Sequence, residues 1–267
     1  MDTNQKPLAL ALSQLTWPEV ETYIATGKPL LLPLGSFEQH GPMGLMGTDY
    51  LCAETVAMAA AGIAGWLVAP PLVYTPAPFN MAFAGTVSVS VPTFTLLLEE
   101  VCSSFISHGF NQIYLLNGHG ANLEPARQVI KNLAPHAIKL RSWWDFDEVQ
   151  DLRQTAFGTW EGLHATPAEI SITQVNQRRL DPDLAREPPM PLSEAYIKAH
   201  SGDRHGDPIS HQRTFPDGRV GSHSALASPH IGTQLIAIAA QAIVDELSDL
   251  INANPAYVET GDQIRVR

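Results

Sequence analysis

"KPLLLPLGSFEQHGPMGLMGTDYLCAETVAMAAAGIAG", residues 28–65, decides the fold of this chain. Its opening, "KPLLLPLG", is a short apolar run closed by Gly35, the pattern of a strand buried on both faces. Its end, from Tyr50 to Gly65, is alanine-rich, stops at glycine and reads as a helix. Between them Glu38, His40 and Asp49 stand among small, apolar and amide side chains, with no other charge nearby. Strand, polar loop and helix in succession put these groups beyond the C-terminal end of a strand, where open α/β sheets bind ligands.

Working outward, the same alternation repeats. "WLVAPPLVY" (66–74) reads as a strand that its prolines shorten or move to an edge. "GTVSVSV" (85–91) alternates with period two, which predicts a strand with one wet face. "PTFTLLLEEVCSSFISHG" (92–109) is a helix with Pro at its start and Gly at its end. "NQIYLLNG" (111–118) is a buried strand, followed by a helix from about Asn122 through "PARQVIKNLA" and a further strand, "AIKLRSWW" (137–144). "TPAEISITQVNQ" (166–177) is a helix, and "SPHIGTQLIAIAAQAIVDELSDLI" (228–251) is a long amphipathic one. Strands alternating with helices give an α/β fold, a largely parallel sheet with helices on both faces. No linker composition divides residues 1–267, so a single domain is expected. The irregular stretch 181–222 is too long for a simple connection and predicts a lid, an arm or a subunit contact.

Composition excludes several partners. The net charge of −11 argues against nucleic acid, which demands a basic face, and against an anionic membrane surface. Charged residues are only 16% of the chain, against roughly 25% in a typical domain, so part of the surface is expected to be covered in a homo-oligomer. Cys52 and Cys102 have no metal or redox spacing and read as reduced core thiols of a cytoplasmic protein. The N-terminus has no basic start and only a five-residue apolar run, so no signal peptide is expected there. "VAMAAAGIAGWLVAPPLV" (56–73) has the length of a membrane span, but Gly62, Gly65 and Pro70–Pro71 break it into helix, turn and strand.

Two further motifs carry chemistry. "NGHGAN" (117–122) follows the strand "QIYLL" directly, and its glycines leave room around His119. "WEGLHATPAEIS" (160–171) sets His164 just before a helix and Glu169 in its first turn. Glu38, His40, Asp49, His119, His164 and Glu169 together form a carboxylate–imidazole set suited to Zn²⁺, Mn²⁺ or Fe²⁺. One bridging carboxylate flanked by a His and an acid on each side would hold two metals and activate water. Plainer readings compete with this one. Asp49 could cap the helix that follows it, and "TPAE" is a complete capping box with Glu169 at N3. His205, His211 and His223 fit no metal template and read as polar loop residues, with Asp217–Gly218 marking a turn.

"LPLGSFEQHGPMGLMGTD" resembles the opening motif of the creatininase family, an L-P-x-G-[SA]-x-E-Q-H-G-P-H-L-P-L-x-T-D pattern. "GTVSVS", "NGHGAN", "HATPAEIS" and "DGRVGSHSALAS" resemble its later motifs in order, over about residues 28–245. The resemblance implies a three-layer α/β/α sandwich, oligomers (commonly hexamers), two divalent metal ions and hydrolysis of a C–N bond in a small cyclic amide or formamide through a metal-bridging hydroxide. By motif position it implies Glu38 and His40 on separate metals, Asp49 bridging, His119 completing one site and His164 as the acid–base histidine. Trp160 matches an aromatic that lines the substrate pocket, and Gly120 occupies the substrate-facing position after the motif histidine.

The departures are specific. Met43-Gly44-Leu45-Met46 replaces His-Leu-Pro-Leu, and Phe79 and Asn80 stand where Tyr-Gly and Glu-His are common. Creatinine-hydrolysing members carry Tyr-Glu after the motif histidine, with that Glu on a metal, whereas this chain has Gly120-Ala121. Glu169 is then the carboxylate available to replace it. A non-catalytic relative that keeps the fold is the competing functional reading.

Overall fold

Four parallel strands arise where the apolar runs were expected. In the computed structural model, which describes residues 10–202 and 205–253 (side chains through 250), these are β1 (Leu30–Leu34), β2 (Leu67–Val68), β3 (Gln112–Asn117) and β4 (Ala137–Ser142), in sheet order β2-β1-β3-β4. The sequence reading of the N-terminus falls largely on residues 1–9, outside the described residues. β1 pairs with β3 from Leu30–Ile113 to Leu34–Asn117, which aligns the C-terminal ends of these two central strands.

The sheet is covered on both faces, as a three-layer sandwich requires. Helices are α1 (Trp17–Ile24), α2 (Thr48–Ala64), α3 (Val91–Ser107), α4 (Leu123–Asn132), α5 (Asp147–Phe157), α6 (Pro167–Asn176), α7 (Glu194–His200), α8 (Pro208–Thr214) and α9 (Pro229–Ala253). Because successive strand side chains point to opposite faces, Leu30, Leu32 and Leu34 join one core with Phe94, Leu98 and Val129 of α3 and α4. Leu31 joins the other core, with Val56 of α2, Ile172 of α6 and Leu235 and Ile243 of α9. A continuous apolar run is therefore what a strand buried on both faces needs.

Local chemistry sets the boundaries. Gly65 ends α2 in the left-handed region, its N–H donating to Ala61 O, and the chain turns into β2. That confirms helix, turn and strand across residues 56–73; among the described residues no helix is long and apolar enough to cross a membrane. Pro70 and Pro71 offer no N–H, so β2 stops after two residues at the sheet edge.

Two expectations need correction. "GTVSVSV" is not a strand: its one ladder pairing is an isolated antiparallel bridge, Phe37–Val87, with a separate bond from Val89 N to Thr75 O, because the chain beyond β1 diverts into the polar loop. The stretch 181–222 is less irregular than expected, since Ser193 and Asp207 cap the short helices α7 and α8. α1 and α5 were not anticipated, although Thr16 and Glu19 form a capping box at the start of α1.

Candidate metal centre

The polar motifs converge because their strands are neighbours. Glu38 and His40 follow β1, His119 follows β3, and Asp49 sits in the first turn of α2. Glycine permits the close approach: a Cβ on Gly35 would collide with the backbone of Tyr50, and one on Gly118 with the carbonyl of Asp49. Glu169 enters from the first turn of α6. His164 is held by an antiparallel bridge to Val220, which brings that end of the 181–222 stretch against the centre. Ala165, next to His164, adopts a positive φ of 58°, a strained conformation.

The group is dry. Glu38, His40, Asp49, His119, His164 and Glu169 are all buried. Asp49 Oδ1 lies 2.8 Å from His40 Nε2, while Asp49 Oδ2 lies 2.9 Å from His119 Nδ1 and accepts from Ser36 Oγ at 2.7 Å. The helix-cap reading of Asp49 fails, since Gly47 holds the N-cap position. Glu38 Oε2 accepts from Asn80 Nδ2 at 2.8 Å, whereas its Oε1, 3.1 Å from His119 Nδ1, has no hydrogen-bond partner. Three overlapping donor sets fall within 4.8 Å: Glu38, Asp49 and His119; His40, Asp49 and Glu169; and Glu38, His40 and His164.

The imidazoles are oriented by backbone carbonyls. His40 Nδ1 donates to Glu38 O at 3.1 Å, and His119 Nε2 donates to Pro76 O at 2.7 Å. Each ring therefore turns its other nitrogen toward Asp49. His164 Nε2 donates to Gln39 O at 2.7 Å, which leaves Nδ1 turned toward Glu38, 3.9 Å from its Oε1. Burial lowers the His40 pKa, but the charge and hydrogen bond of Asp49 outweigh it and lift the value to about 10. Burial and the neighbouring His40 charge lower His164 to about 4. Burial raises Glu169 to about 7, partly offset by His40. Glu38 and Asp49 thus lie buried against imidazoles, with the Glu169 carboxyl beside them, an arrangement that divalent cations would hold with better charge balance. The oxygen-and-imidazole donor set and the orphaned Glu38 Oε1 both fit such ions.

A family model for creatininase, described as creatinine amidohydrolase, matches residues 13–247. The chain belongs to the creatininase family. Among curated relatives, a mycofactocin precursor peptide peptidase of Mycobacterium ulcerans is 34% identical over 127 residues, 44% of this chain and 46% of that protein. A creatinine amidohydrolase of Pseudomonas putida is 29% identical over 180 residues, 60% of this chain and 69% of that protein. The aligned part thus spans less than half of the first relative. Two solved creatininases, one described with Mn and one a mutant of Zn-Zn type, each superpose with a TM-score of 0.73 at 25% identity, covering 91% of this chain and 98% of theirs.

A cavity of about 310 Å³ opens onto this creatininase-family centre, lined by Asp49, His119, Gly120, His164 and Glu169 together with Trp143, Trp144, Gln150 and Arg153. Trp160 is not in this lining; its ring packs edge-on to His223, at 5.8 Å between centroids. His211 is no solvated loop residue: it is buried on α8, its ring 5.1 Å from Phe79. Sequence reading missed Ser36 and Asn80 as partners of Asp49 and Glu38, and the two adjacent tryptophans after β4. A Trp pair directly beyond a strand C-terminus was the available signal.

Proposed function

We propose that this chain is a metal-dependent amidohydrolase that cleaves the C–N bond of a small cyclic amide or formamide. Glu38, Asp49 and His119 would hold one divalent cation, and His40, Asp49 and Glu169 a second, either zinc or manganese as in the solved relatives, or iron. The observation that carries this is Asp49, whose two oxygens face two different imidazoles, 2.8 and 2.9 Å away, in two separate donor sets. When bound, such ions would polarise the amide carbonyl and acidify a water for attack on it.

The chain's own groups supply the rest. His164, with its pKa near 4, is neutral at physiological pH and offers Nδ1 as a base, while its Nε2–H is anchored on Gln39 O. Nδ1 takes a proton from the attacking water and delivers it to the departing nitrogen, so that a C–O bond forms as the C–N bond breaks. Asn80 fixes the Glu38 carboxylate, and Ser36 fixes that of Asp49. Gly120, Trp143 and Trp144 line the space for substrate, and the two tryptophans take the lining role that the resemblance gives to Trp160.

We assign the chain to one domain, in cytosolic homo-oligomers of the family's hexameric kind. Exposed Leu184, Met190 and Ile209 in the 181–222 stretch support buried subunit contacts there. The function is tested by metal analysis together with turnover on lactams, cyclic ureas, formamides and short peptides. The peptides join the panel because of the mycobacterial relative. About two metals per chain and metal-dependent hydrolysis are expected. Full metal with no turnover on any class would favour the non-catalytic reading.

A further inference from the structure

We infer that Arg153 is an anion clamp in the wall of the cavity, and that the amide taken there carries a carboxylate; the amide half of this inference rests on the hydrolase reading above. Arg153 lies on α5 and lines the same cavity as Asp49, His119 and Glu169. Three neighbours fix its guanidinium. Nε donates to Glu161 Oε1 at 2.8 Å, Nη1 donates to Gln150 Oε1 at 3.3 Å, and the guanidinium carbon sits 5.7 Å from the centroid of the Trp143 ring. Gln150 is itself tied down, its Nε2 donating to Trp144 O at 2.6 Å.

A guanidinium has five N–H donors. Nε and one Nη1 hydrogen are used, so the second Nη1 hydrogen and both Nη2 hydrogens have no acceptor among the described residues. Glu161 occupies the Nε side and Gln150 one Nη1 hydrogen, which leaves both Nη2 hydrogens and the second Nη1 hydrogen for an anion, and a guanidinium can grip a carboxylate with two hydrogen bonds. The pair is three-quarters or more withdrawn from water, with side chains 15% and 12% exposed. A neutral substrate filling the cavity would strip water from those donors and replace nothing, which disfavours it. A substrate carboxylate would satisfy them. The cavity volume of about 310 Å³ suits an N-formyl or N-acyl amino acid or a carboxylated lactam, with the amide at the carboxylate–imidazole cluster and the anion at Arg153.

Calorimetric titration of the metal-loaded full chain with N-formylglycine and with its neutral counterpart N-formylglycinamide tests this. The acid is expected to bind at least about tenfold tighter, and Arg153→Gln should reduce the difference to within about twofold. Equal binding of the two probes to the wild type overturns the inference without any variant. A preference that survives in Arg153→Gln also overturns it, because the metals would then be holding the carboxylate. If Arg153→Gln folds poorly, Arg153→Lys keeps a cation beside Glu161 but loses the fork. It should bind the acid several-fold more weakly than wild type, and unchanged binding would sink the clamp. The readout needs no turnover. Failure to hydrolyse any amide therefore defeats the hydrolase reading alone, whereas hydrolysis with no carboxylate preference defeats Arg153 alone.

Discussion

Glu169 and Thr166 exchange two hydrogen bonds: Thr166 N donates to Glu169 Oε2 at 2.8 Å, and Glu169 N donates to Thr166 Oγ1 at 3.1 Å. The same carboxylate stands in a donor set with His40 and Asp49. Capping and metal binding, alternatives in the sequence, are compatible in space because the cap uses one oxygen. Glu169→Gln separates them, since Gln at N3 still completes a capping box but is a poor anionic ligand. Metal-free Glu169→Gln should melt close to wild type, with a change under about 1 kcal/mol. Its affinity for the second metal should fall roughly tenfold or more. Full metal content in the variant would make Glu169 a cap alone.

In the proposed two-metal site Asp49 is the one group shared by the two donor sets. Asp49→Ala should therefore remove more metal than any other single substitution in the cluster, as measured by elemental analysis per chain. A variant that stayed loaded would refute the bridging role.

His40 links stability to pH. In the metal-free chain its pKa of about 10 lies above the ordinary 6.5, so the folded state holds a proton that the unfolded state releases sooner. That stabilisation is complete below pH 6.5 and is lost as pH rises through about 10. As a proposed ligand His40 would have to lose this proton to bind metal, so metal affinity should grow over the same range. Thermal melts with and without chelator should show a Tm gap that widens from about pH 7 to about pH 9. A constant gap would mean that His40 does not exchange its proton for metal.

Glu246 ties α9 to the sheet away from the cluster. It accepts from Tyr114 Oη at 2.8 Å and from Arg141 Nε and Nη2 at 2.8 and 2.6 Å. Glu246→Ala leaves the buried Tyr114 hydroxyl without this acceptor and should cost about 1–3 kcal/mol by denaturant unfolding, with metal content unchanged. A loss of metal would show that α9 supports the centre.

Oligomerisation is open to light scattering. A particle several times the mass of one chain is expected at micromolar concentration. Substituting Met190 or Ile209, both exposed, with Asp should shift the mass downward if 181–222 forms the contact. A wild-type monomer would contradict the proposed assembly.

Residue order determined much of this protein. The apolar run through Leu30–Leu34 is short, flanked by Pro29 and Gly35 and has no polar position to turn toward water, so as a strand it must be covered on both faces. Glycines at 35 and 118 mark where strand ends must approach a helix, and the motifs after them placed Glu38, His40 and His119 correctly beyond β1 and β3. What the order of residues left undecided depended on partners distant in the chain. "GTVSVSV" has the alternation of a strand but only scattered backbone bonds, Val87 N to Phe37 O and Val89 N to Thr75 O, and no continuous partner strand. The resemblance implies a pocket-lining role for Trp160, yet its ring packs against His223 and the cavity wall holds Trp143 and Trp144 instead. Asn80 reads as a departure from a motif until the fold sets its amide 2.8 Å from Glu38. Periodicity is local and survives in the sequence; which buried carboxylate meets which donor is a matter of long-range packing, and only the tertiary structure decided it.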